Sequence, residues 1–113
     1  MQILISDFGE ADKKVTLIGK YDMVGAQTIE QPMATVSGLR CNVIVDMTGV
    51  DFLASNGIRH LILAAKDVTR ASRKLVVLSP NPFVTHVLEM AGLADLVPIV
   101  RSEEEARAAF GCA

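Results

Sequence analysis

The sequence predicts an α/β fold: one domain spanning residues 1–113, built on a mixed central β-sheet of about five strands, mostly parallel at its core, with about four helices packed on it. Three observations carry that prediction. Asn42-Val43-Ile44-Val45-Asp46 and Lys74-Leu75-Val76-Val77-Leu78 are nearly unbroken apolar runs, the pattern of strands covered on both faces. Between them lies a long segment of helical periodicity, and a strand, helix, strand succession implies a right-handed crossover and a parallel pair. Finally, 113 residues of which 50% are hydrophobic suffice to enclose one core and are too few to divide into two.

Taken in chain order, Gln2-Ile3-Leu4-Ile5-Ser6 and Val15-Thr16-Leu17-Ile18 are short, rich in β-branched residues and partly alternating. With the polar Glu10-Ala11-Asp12-Lys13-Lys14 between them, they predict an N-terminal hairpin. From Val24 to Ser37 the positions of Val24, Ile29, Met33 and Val36 predict a helix, which Pro32 should kink or restart because it lacks an amide hydrogen. The strand over 42–46 follows. A helix from about Ser55 to Arg70 puts Ile58, Leu61, Ile62, Ala65, Val68 and Thr69 on a core side, with Asn56, Arg59, His60, Leu63, Lys66, Asp67 and Arg70 opposite. After the strand over 74–78, Asn81-Pro82 caps and starts a helix that runs to Met90 and stops at Gly92. Val97-Pro98-Ile99-Val100 predicts a short strand, with Pro98 near an edge or a first position. Ser102 then caps a last helix whose first turn holds Glu103, Glu104 and Glu105, favourable at the positive end of a helix dipole.

Composition narrows the function classes. With 11 basic and 13 acidic side chains spread along the chain and a net charge of −2, there is no basic stripe for phosphate backbones, so nucleic acid is not an expected partner. Apolar runs such as Leu61-Ile62-Leu63-Ala64-Ala65 fall far short of the roughly 20 residues of a membrane-spanning helix, and no signal-peptide pattern opens the chain. A soluble, cytoplasmic protein with no membrane association is expected. Cys41 and Cys112 have neither disulfide-framework nor zinc spacing, and His60 and His86 lack ligand neighbours. No metal and no cofactor are expected.

Chemistry concentrates in "VDFLASNGIRHLILAAK", Val50 to Lys66, where a strand-like run turns directly into a helix. Ser55 has the residue type and position of an N-cap. A nucleophile elbow would need Gly-x-Ser-x-Gly, and Leu53 occupies the first glycine position. A phosphate-binding loop would need repeated glycines and a Lys-Ser/Thr pair, also absent. As a third reading, Ser55 is a phosphorylation switch: a phosphoryl group gains from the helix dipole while adding nearly two negative charges to a surface that a partner must desolvate. On the outward face Leu63 is the apolar residue among polar ones. It is either a scattered surface leucine or an interface anchor rimmed by Arg59 and Lys66.

"VIVDMTGVDFLASNGIRHLILAAK" resembles the central segment of the STAS-domain family, the anti-sigma-factor antagonists, through Asp46, Thr48, Phe52, Ser55, Gly57 and Ile58. Gly19-Lys20-Tyr21-Asp22 is similar to the family's turn after the second strand, and "MAGLADLVPIVRSEEEA" to its C-terminal part. The resemblance implies a STAS-like fold and a non-enzymatic regulator. Unphosphorylated, such a protein binds an anti-sigma factor with serine-kinase activity, with ATP held by that partner. Phosphorylation at Ser55 releases it, and a phosphatase reverses the step. Asp22, Asn56, Arg59, His60, Leu63 and Lys66 would face the partner; Asp46, Thr48 and Gly57 would support the loop. A monomer or weak homodimer is expected. Ala54 and Asn56 depart from the Asp and Ser/Thr that often flank the serine in the family. The alternative is a constitutive STAS scaffold in a signalling complex, with Ser55 only a helix cap.

Overall fold

The computed structural model describes residues 1–111, so the expectation for Cys112 lies outside the described residues. Nine elements follow one another: β1 (Gln2–Phe8), β2 (Asp12–Tyr21), α1 (Met23–Ser37), β3 (Val43–Leu53), α2 (Ser55–Arg70), β4 (Leu75–Leu78), α3 (Pro82–Met90), β5 (Ile99–Val100) and α4 (Glu103–Ala109). The strands form one sheet in the order β1-β2-β3-β4-β5. β1 runs antiparallel to β2, and every later pair is parallel. The mixed sheet, its parallel core and the element order match the sequence prediction.

Strand alternation divides the interior between two faces. Val15, Leu17, Val43, Val45, Met47, Leu75 and Val77 join the larger core, to which α1 contributes Ile29 and Met33, α2 Leu61 and Val68, and α3 Val84 and Leu88. On the reverse face Phe8, Ile44, Val76, Leu78 and Val100 pack with Ala106 of α4. Three helices thus cover one face and a single short helix part of the other.

Several boundaries differ from the sequence reading. The hairpin turn occupies Gly9 to Ala11, and the Asp12-Lys13-Lys14 segment expected to turn is paired strand. β3 does not stop at Asp46. Its pairing with β4 ends there, but it continues to Leu53 along β2 through two register shifts, so 47–53 has a strand neighbour on one side only. α1 runs unbroken through Pro32, because Ile29 and Met33 on either side of the proline are both seated in the core. β5 is reduced to Ile99–Val100, since the amide of the buried Val97 turns back to the Leu93 carbonyl. Thr69, expected in the core, is exposed, and its hydroxyl donates to the Ala65 carbonyl instead.

Candidate functional site

The C-terminal ends of β2 and β3 lie side by side, with Tyr21 paired to Leu53, and from them spring α1 and α2. Asp22 caps α1 by accepting a 2.8 Å hydrogen bond from the Gly25 amide. α2 begins differently. Its N-cap is Ala54, in extended conformation with no side-chain cap, and Ser55 is already the first helical residue. The expectation that Ser55 caps the helix is therefore wrong. The Ala54 amide is taken by the Tyr21 carbonyl at 3.0 Å, which shifts the non-helical cap position one residue ahead of the serine. Ser55 is exposed at the positive end of a 16-residue helix, with its hydroxyl free of the capping role.

Tyr21 is the anchor that places this serine. Besides the Ala54 bond, its carbonyl lies where any side chain on Gly57 would collide: an added Cβ would stand 2.2 Å from the Tyr21 oxygen. Gly57 therefore lets the first turn of α2 sit against the end of β2. A third contact joins the buried Tyr21 hydroxyl to His60 Nδ1 at 2.6 Å, with the two rings edge to face. Among the described residues that hydroxyl has no other acceptor, so the phenol donates to Nδ1, and the imidazole proton resides on Nε2. Burial pushes the Tyr21 phenol far above its ordinary range. It also holds His60 below 6.5, against an opposing pull from the Glu30 carboxylate.

His60, expected on the outward face, is thus half-buried and turned to Tyr21. The other outward residues hold their places: Arg59, Leu63 and Lys66 are exposed, and Asn56 is partly so. Leu63, 56% exposed, stands with Met23, Gln27, Glu30, Arg59 and His60 around a cavity of about 330 Å³ between α1 and α2. Asp22, Ser55, Asn56 and Gly57 gather at the strand ends. Asp46 and Thr48 do not join them. The Asp46 carboxylate accepts from the Thr48 amide and hydroxyl and lies 3.7 Å from Lys14, which also binds Glu103 at the start of α4. Alternation puts Asp46 on the α4 face, next to Ile44 and away from the helix that carries Ser55.

Sequence reasoning missed two features. Tyr21, the chain's single tyrosine, could have been singled out as a lone aromatic hydroxyl inside an apolar strand end. Phe52 and Phe83 stack at 6.1 Å on the surface beside the loop, held because the Asn81 side chain donates to the Val50 carbonyl. Nothing in the local pattern around Phe83 announces that pairing.

Residues 9–106 match the family of the STAS domain. The chain belongs to that family. This STAS domain is 31% identical over 95 residues to BtrV of Bordetella bronchiseptica, provisionally named an anti-sigma factor antagonist, across 83% of this chain and 82% of that protein. Its fold superposes on an anti-sigma factor antagonist from Mycobacterium paratuberculosis with a TM-score of 0.86 at 22% identity, covering 97% of this chain and 93% of that one. SpoIIAA in its unphosphorylated form gives 0.76 at 18%, covering 99% of each chain. The phosphorylated form of the Bacillus protein gives 0.73 at 15%, covering 96% of this STAS domain and 99% of SpoIIAA. At these identities the solved structures share its fold. Among the described residues, no helix is long and apolar enough to cross a membrane.

Proposed function

We propose that this STAS domain is a cytoplasmic anti-sigma factor antagonist that switches partners through Ser55. In the unphosphorylated state, the surface formed by Asp22, Asn56, Arg59, His60, Leu63 and Lys66 docks an anti-sigma factor with serine-kinase activity. That partner binds ATP and transfers the γ-phosphoryl group to the Ser55 oxygen, whose proton is lost as the ester bond forms and ADP leaves. The added charge, nearly −2 at neutral pH, must be desolvated if the complex is to persist, and the complex dissociates. A phosphatase restores the serine. The domain is the substrate of this chemistry and performs none itself.

The observation that carries this reading is the Ser55 hydroxyl: exposed, at a helix N-terminus, and excused from capping by Ala54. A phosphoryl group there meets free first-turn amides and a favourable dipole, so modification is compatible with the fold. The kinship with BtrV points to the same class of partner. SpoIIAA, solved with and without phosphate, offers a precedent on this fold.

Intact-mass analysis after incubation with ATP and the anti-sigma kinase tests the reading. One phosphate is expected on the wild type and none on Ser55→Ala. A phosphate retained by Ser55→Ala, or a kinase that binds the phosphorylated form equally well, would overturn it.

A further inference from the structure

We infer that β1 is a self-association edge, through which two copies of this chain join their sheets antiparallel about a two-fold axis at Leu4. The sheet has two edges of unequal character. β5 is two residues long and preceded by Pro98, which blunts it, whereas β1 offers seven residues with one side of its backbone unpaired. Proteins guard such edges with lysine, proline or bulges, and the stretch from Gln2 to Ser6 has none of these. It carries exposed apolar side chains on both faces instead: Leu4, 60% exposed, on the side of α4, and Ile5, 43% exposed, on the side of α1.

The occupant follows from self-complementarity. A two-fold centred on Leu4 sets Leu4 against Leu4, Ile3 against Ile5, and Gln2 against Ser6, so apolar faces apolar and polar faces polar. Centring on Ile5 would put Asp7 against Ile3 and lose that match. Charge agrees with the first register. The hairpin end bears the exposed Glu10, with Asp7 already paired to Lys13 across the hairpin, and the other end of β2 bears Lys20, an exposed cation without an ion-pair partner among the described residues. Antiparallel docking brings the Glu10 end of each hairpin toward the Lys20 of the other copy, two strand spacings or roughly 10 Å away between backbones. Joined in this way, two five-stranded sheets become one of ten (5 + 5) strands. One strand pair buries less than a standard stable interface, so the dimer is weak and concentration-dependent.

Sedimentation velocity from about 10 μM to about 1 mM tests this, with wild type expected to shift from monomer toward dimer. Leu4→Lys places like charges across the axis and should weaken association by roughly tenfold or more, with an unchanged circular dichroism spectrum because Leu4 is a surface residue. Met90→Lys, on α3, should leave association intact. In a background with Cys41 and Cys112 replaced by serine, Leu4→Cys should form a disulfide dimer on mild oxidation, since directly opposed strand residues lie within bridging distance. A wild type monomeric throughout the range, association that survives Leu4→Lys, or association that Met90→Lys abolishes would each overturn the proposal.

Discussion

Tyr21 concentrates the residue-scale energetics, because one buried side chain and its carbonyl hold Ala54, Gly57 and His60 together. Tyr21→Phe removes only the hydroxyl and should cost about 1 kcal/mol in chemical denaturation, the net worth of one hydrogen bond. It also frees His60 Nδ1 to take a proton, so the His60 pKa followed by NMR should rise toward its ordinary value; no change would mean the bond is absent in solution. Burial gives His60 a pH signature of definite sign. Its folded pKa lies below 6.5, so the unfolded chain takes up the proton first, and this stabilising contribution is complete above about pH 6.5 and declines as pH falls through the folded value. Unfolding midpoints at several pH values should fall less steeply in His60→Gln. Leu63→Asp should weaken partner binding while moving stability by no more than about 0.5 kcal/mol, as for a surface site. A collapse in melting temperature would instead place Leu63 in the core. Leu63 was legible from helical periodicity; the inward turn of His60 was not, because its partner lies 39 residues away in sequence.

At the scale of elements, the two helices beside the site obey different rules. Gly57→Ala forces a methyl group into the Tyr21 carbonyl, so α2 must shift at its N-terminus, at a cost of roughly 1–3 kcal/mol. Thermal unfolding would measure the cost, and the phosphorylation rate of Ser55 should fall with it. In α1, Pro32 leaves one backbone hydrogen bond unmade, so Pro32→Ala should stabilise the chain by roughly 1–3 kcal/mol, read from the denaturation midpoint. The order of all nine elements was legible because each carries its own period or cap: Asn81 before Pro82, Ser102 before three glutamates. The extents of β3 and α1 were less so. The apolar run reads as a strand ending at Asp46, yet pairing with β2 keeps Met47 to Leu53 extended; Pro32 reads as a break, yet burial of Ile29 and Met33 overrides it.

Across the whole molecule, three helices crowd one face of the sheet, and the surface proposed to meet the partner is assembled where two of them leave the strand ends. Membership of the STAS family and the anchoring of the Ser55 turn by Tyr21 fit one picture: a strand-end platform presenting the Ser55 hydroxyl. Sequence alone located that hydroxyl but left a capping role open beside the switch, because the displacement of the cap to Ala54 depends on a carbonyl supplied by another strand. The decisive measurement is the affinity of Ser55→Asp for the anti-sigma factor, taken together with its melting temperature. The account predicts binding weakened by roughly tenfold or more while the melting temperature stays within a few degrees of wild type, since a carboxylate is favourable at a helix N-terminus. Undiminished binding in the folded variant would contradict it.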